Sequence, residues 1–131
     1  MMDWWAPYIG LPFGEGPGEV TCWSLVRRIY AEQLGIDLPE YGEIGARDLV
    51  RVAREMSHQK DRGPWYGPLR PGVHDVVLMR SARGGRAVCH VGIIADVARL
   101  LHAEEDTGSV LVPISHHTVR GRIVGYRRHA T

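Results

Sequence analysis

The sequence predicts an α+β domain, with N-terminal helices packed on a C-terminal antiparallel β-sheet. Apolar residues recur at the helical period only in the first 60 residues, and from Val73 onward short β-branched runs alternate with turn residues. Helices first and strands afterwards is the order of an α+β domain, not of an alternating βαβ chain. At 131 residues the chain is expected to form one domain over 1–131, since two independent cores would not fit.

The elements follow in order. Residues 1–20 read as an irregular, aromatic entry with Pro7, Pro12 and Pro17, closing on the turn-prone GEGPGE. TCWSLVRRIYAEQLGI is the clearest helix: Leu25, Val26, Ile29, Tyr30 and Leu34 keep its period, Thr21 can cap its start, and Gly35 can stop it. Cys22 then falls in the first turn. A second amphipathic helix is expected over about 44–59, with Ala46, Leu49, Val50, Ala53 and Met56 on one face. DRGPWYGPLRPG is the loop where the period changes. VVLMR, AVCHVGIIA, RLLHA, SVLVPI and RIVGYRR are the strands.

Composition narrows the function. Apolar residues are 44% and charged residues 24%, as in an ordinary globular protein. Lys+Arg 16 against Asp+Glu 15 leaves a net charge of +1, too small a surplus for a nucleic-acid binder. The run Glu104, Glu105, Asp106 and the later Arg120, Arg122, Arg127 and Arg128 read as solvated. No stretch approaches the roughly 20 apolar residues of a membrane span, so no membrane insertion is expected. The opening MMDWWAPYIG has neither the basic lead nor the apolar run of a signal peptide.

The chemistry-bearing residues are a thiol and two imidazoles. At a helix start, the dipole and the backbone N–H groups favour the thiolate of Cys22. His90 and His102 lie in CHVGIIADVARLLHA, two apolar runs joined by a turn. A hairpin centred on Asp96 would set Ile94 opposite Ala98, Gly92 opposite Leu100 and His90 opposite His102. Facing imidazoles can share a hydrogen bond, one acting as base and the other fixing its tautomer. Both are expected on the face that meets Cys22, and Gly92 would leave room there for substrate or a facing helix. Cys89 would point away as an inert core thiol, and no disulfide is expected. Cys22, His90, His102 and the His116–His117 pair are an alternative zinc set, but neither C-x-x-C nor H-E-x-x-H occurs, so no metal or other cofactor is expected. His116–His117 reads as a solvated turn, and His58 and His74 as lone histidines. Trp4, Trp5, Trp65 and Tyr66 can line a groove or pack against helix ends.

TCWSLVRRIY resembles the nucleophile helix of the NlpC-type cell-wall cysteine peptidases, a compact papain-like family. CHVGIIADVARLLHA resembles that family's second block, a His-Val-Gly-Ile strand followed by a strand ending in His-Ala. YIGLPF, LGIDLPEY, VVLMR and RIVGYRRH are similar to the phage-tail and gene-transfer-agent branch, so the resemblance covers nearly the whole chain. It implies Cys22 as nucleophile, His90 as general base and His102 as the orienting residue. It also implies hydrolysis of peptidoglycan stem peptides, commonly between D-glutamate and a diamino acid. Thr21 stands where most members have Asp, Trp23-Ser24 where many have Ser-Gly, and Phe13 where many have a tyrosine that holds the substrate carbonyl. Tyr8 is a possible substitute for that tyrosine, beside the backbone N–H of Cys22.

The branch further implies carriage in a virion or tail-like particle, with tail-tip or baseplate proteins as partners and the recipient cell envelope as the place of action. The aromatic residues around Trp4–Trp5 or Trp65–Tyr66 would be the anchors. A structural tail component with the same fold, and an acyltransferase or amidase using the same thioester chemistry, are the rival readings.

Overall fold

Helix α1 begins where the chain supplies a cap. Thr21 is extended, its hydroxyl accepts the Ser24 N–H at 3.2 Å, and Ser24 Oγ accepts the Thr21 N–H at 2.7 Å. This reciprocal pair satisfies backbone groups that a helix start leaves unbonded. It fixes Cys22 as the first residue of α1, Cys22–Ile29. The helix widens through Tyr30–Leu34 and stops at Gly35, whose φ of +66° lies in the left-handed region that glycine enters at little cost.

The computed structural model describes residues 3–38, 65–82 and 88–130, apart from the side chains of Val88 and Cys89. The helix expected over 44–59, His58 and the direction of the Cys89 side chain lie outside the described residues. Among the described residues no helix is long and apolar enough to cross a membrane.

Among the described residues, six strands form one antiparallel sheet in the order β1-β6-β2-β3-β4-β5: β1 Trp65–Tyr66, β2 Val76–Arg80, β3 Val88–Ile94, β4 Arg99–Glu104, β5 Gly108–Pro113 and β6 Ile123–His129. The last five are the expected runs. Strand β1 is a correction, since the reading placed it in a loop. It pairs Trp65 with His129 because the buried indole packs edge-on to the His129 ring at 5.0 Å and beside Tyr30 at 5.9 Å. Two residues are too few to show a period.

Alternation divides the sheet into two apolar sides. Leu25, Val26 and Ile29 of α1 are fully buried against Val76, Leu78, Val91, Ile93, Leu101 and Ala103. Each such side chain contributes about 1.5–3 kcal/mol, so α1 is held chiefly by this face. Val77, Met79, Ile94, Leu100 and Val119 form the second side. The entry segment lies along β5, with Gly10 N–H donating to Ser109 O at 2.8 Å and Ser109 N–H to Leu11 O at 2.9 Å. Gly108 permits this approach: its φ is +68°, and a Cβ there would meet the Leu11 carbonyl oxygen.

The β3–β4 hairpin departs from the expected register. Ile93 pairs with Leu101 and Ile94 with Leu100, two residues away from a hairpin centred on Asp96. The turn chemistry explains the offset. Asp96 Oδ1 accepts the N–H groups of Ala98 and Arg99, Oδ2 accepts from the Arg99 guanidinium, and Ala95 N–H closes the loop on Arg99 O at 2.9 Å. Asp96 therefore opens the turn instead of standing at its centre.

Candidate active site

The shift by two residues keeps every side chain on its face but changes its neighbour. Extended along the strands, the register sets Gly92 beside His102 and His90 beside Glu104. A Cβ on Gly92 would lie 2.9 Å from Leu101 O and 3.2 Å from His102 Cβ. The room that glycine leaves is thus taken by β4 and His102, where a substrate or helix had been expected.

His90 and His102 meet diagonally. His90 Nε2 lies 2.8 Å from His102 Nδ1, both rings are buried, and they stand nearly edge to face with centroids 5.0 Å apart. In the tautomer in which Nε2 donates to His102, Nδ1 is the His90 nitrogen left to accept a proton. Burial, followed by the neighbouring His102, pushes the His90 imidazole down to about 3, against a smaller upward pull from Glu104. The resting imidazole is therefore neutral near pH 7, the state a base requires.

Glu104, read from sequence as part of a solvated acidic run, is the third member of this cluster. Its Oε1 lies 3.2 Å from His102 Nδ1, 3.7 Å from His90 Nε2 and 2.7 Å from Arg122 Nη1. His102 and then Arg122 hold its carboxyl down to about 2, although partial burial opposes them. Position alone could have found it, because two residues after His102 on a strand is the same face. Arg122 lay beyond such reasoning: it sits in the turn before β6 and is fixed by donating to the carbonyls of Arg80 and Thr118.

Cys22 is in no disulfide and is buried at the head of α1. It belongs to the α1-side cluster with Val91, Leu101 and Ala103, the chain neighbours of the two histidines. The histidines occupy the alternate positions, and His90 pairs with Met79 of the second cluster. The structure thus brings His90 and His102 together, and Cys22 packs with the residues that flank them in the chain. The register shifts next to His90, between Met79 and Arg80, at the start of β3.

The remaining candidates are accounted for by packing. Tyr8 is no substitute for the missing tyrosine: its hydroxyl donates to Glu32 at 2.7 Å and meets Gln33, at the far end of the helix from Cys22. Phe13 bridges Val20 and packs on the α1-side core, and its ring carries no donor. Trp4 donates to Ala95 O and lies 4.6 Å from the His74 ring, while Trp5 lies under Arg99. Trp65 is core and Tyr66 is exposed. His74 is not alone, since its carbonyl also accepts the Tyr30 hydroxyl.

The zinc set expected as the alternative is not assembled. Among the described residues, the grouping of possible metal donors is His90, His102 and Glu104, without Cys22. His116 instead meets Thr118 at 2.7 Å in an exposed turn, its ring 4.4 Å from that of His117. In the buried grouping the two nitrogens are at hydrogen-bond distance, and the Arg122 guanidinium already neutralises the carboxylate.

A helix headed by a cysteine, packed on an antiparallel sheet that carries a bonded histidine pair, is the α+β layout of the papain-like class. The chain belongs to the NlpC/P60 family, whose model matches residues 10–128. No curated protein matches it. Solved structures do. An NlpC/P60 family protein from Bacillus cereus ATCC 10987 aligns with a TM-score of 0.66 at 19% identity, over 95% of this chain and 37% of that one. A lipoprotein-like NLP/P60 protein from Staphylococcus aureus subsp. aureus Mu50 gives 0.63 at 23%, over 98% and 40%. The NlpC/p60 domain of the peptidoglycan hydrolase SagA gives 0.55 at 18%, over 92% and 88%. At these identities the likeness establishes the fold. The chain spans about two fifths of the length of the Bacillus and Staphylococcus proteins.

Proposed function

We propose that this chain is a single-domain cysteine peptidase that hydrolyses peptidoglycan stem peptides, with Cys22 as nucleophile, His90 as base and His102 as orienting residue. The observation that carries this reading is the 2.8 Å bond between His90 Nε2 and His102 Nδ1, which turns Nδ1 into the basic nitrogen. The start of α1 supplies the second half, a capped helix end whose dipole and N–H groups favour a thiolate at Cys22. Contact between the two is proposed around the start of β3, where the register shift interrupts the alternation.

In the proposed reaction His90 Nδ1 takes the thiol proton and Cys22 Sγ attacks the scissile carbonyl. The Cys22 backbone N–H is the proposed donor to the oxyanion. The imidazolium returns its proton to the departing amine, leaving a thioester that water hydrolyses with His90 again as base. Membership in a family that includes a domain of a peptidoglycan hydrolase supports the substrate class.

Carriage on a phage-tail or gene-transfer-agent particle, with tail-tip or baseplate partners, is the finer part of the proposal and rests on the sequence blocks at both ends of the chain. Since Trp4, Trp5 and Trp65 are engaged in packing, Tyr66 is the remaining aromatic anchor of those considered. One observation favours a purely architectural tail component instead: the Cys22 side chain is buried in the α1-side core. Incubation with purified peptidoglycan and mass analysis of the fragments decides between them. Release of free stem-peptide amines by the wild-type chain, and none by Cys22→Ala, is the expected result. No fragments from either would leave the architectural reading.

A further inference from the structure

We infer that Glu104, held in place by Arg122, is a positioning residue for the His90–His102 pair and sets how readily Cys22 ionises; this rests on the catalytic reading above. Oε1 of Glu104 is equidistant, within about half an ångström, from the two nitrogens that share a proton, at 3.2 Å from His102 Nδ1 and 3.7 Å from His90 Nε2. A further proton on the pair makes a cation at that spot. An anion at this range stabilises it, and so favours thiolate with protonated histidine pair over thiol with neutral pair. Glu104 must remain an anion to do this, and the Arg122 guanidinium at 2.7 Å ensures it while fixing the carboxylate beside the rings.

Among the described residues, the charged and titratable groups that bear on His90 are His102 and Glu104 of β4 and Arg122 of the turn before β6, with Cys22 of α1 as the proposed proton donor. Met79, its partner on β2, is apolar. Arg122 opposes Glu104 by charge, but it also holds the carboxylate at the rings. Their effect is confined to pH values at which the thiol needs the histidine to ionise. Above the intrinsic ionisation of a thiol, near pH 8.5, the imidazole no longer matters.

The test is the rate of Cys22 alkylation by iodoacetamide from pH 5 to 10, followed by peptide mass spectrometry in the full chain, with circular dichroism as the check on folding. Glu104→Gln keeps the shape and an acceptor for Arg122 but removes the charge. It is expected to slow alkylation about tenfold at neutral pH, the equivalent of one pKa unit, and to leave the rate at pH 10 unchanged. Arg122→Gln, which frees the carboxylate from its anchor, is expected to slow the neutral rate in the same direction and by less. Unspecific loosening would not spare the rate at pH 10. Superimposable profiles for the three proteins, or equal shifts at all pH values, would overturn this inference. A wild-type Cys22 no faster than a free thiol at neutral pH, and unaffected by His90→Ala, would instead overturn the catalytic reading beneath it.

Discussion

Asp75 and Glu104 each bind an arginine, and of the two only Glu104 is open to proton chemistry. Asp75, at the head of β2, is 1% exposed and takes the Arg128 guanidinium with both oxygens, at 2.8 and 2.9 Å, while Oδ2 also accepts the Gly72 N–H at 2.6 Å. All these donors are permanent, and the group ties β6 to the loop before β2. Glu104 binds Arg122 through the same oxygen that faces two imidazoles. Its partners include groups that gain and lose a proton. An acid–arginine pair is therefore structural or functional according to what else shares the carboxylate.

The contrast can be broken most severely at the thiol. Cys22→Ala removes one atom and should abolish stem-peptide hydrolysis by at least about 10⁴-fold with an unchanged melting temperature. Residual turnover above that level would remove Cys22 from the role of nucleophile. His90→Ala should cost about 10³-fold in kcat and His102→Ala clearly less, because water can partly replace an orienting group. A larger loss for His102 would invert the assigned roles.

Asp75→Ala should do the opposite of these changes. It strands Arg128 and the Gly72 N–H, and is expected to cost about 2–3 kcal/mol in chemical denaturation, below the figure for a fully buried pair because Arg128 is partly exposed. Hydrolysis per folded molecule should be unchanged. A stable but inactive Asp75→Ala protein would erase the distinction between the two pairs.

The smallest effect is in pH. His90 is pushed to about 3 in the folded chain, below its ordinary value of 6.5, and Glu104 to about 2, below 4.5. In both cases the unfolded chain binds protons first on acidification. Stability should therefore hold above about pH 6.5 and fall as pH drops toward 3 and then 2. His90→Gln should flatten the upper part of this decline. A wild-type chain whose melting temperature is constant from pH 6.5 to 4 would show that His90 is not held neutral by its surroundings.

Much of this was legible in the chain because it depends on local chemistry. Thr21 and Ser24 cap α1, Gly35 ends it, and five β-branched runs became five strands in the expected places. The parity of His90 and His102 survived the error in register, since a shift of two residues preserves faces. Glu104 and Arg122 were missed for different reasons. Glu104 sits among acidic neighbours that suggest solvent, and Arg122 reaches the site from a turn that no period marks.

By itself the sequence determined the class of fold, the head of α1 and the common face of the two histidines, because caps, periods and strand alternation are properties of nearby residues. Only the tertiary structure decided that Asp96 opens its turn, that His90 therefore stands beside Glu104, and that Arg122 arrives to hold that carboxylate. It also decided that Cys22 is buried in the α1-side core. Those outcomes depend on which strands become neighbours and by how many residues they are offset, and that balance is struck across the whole sheet.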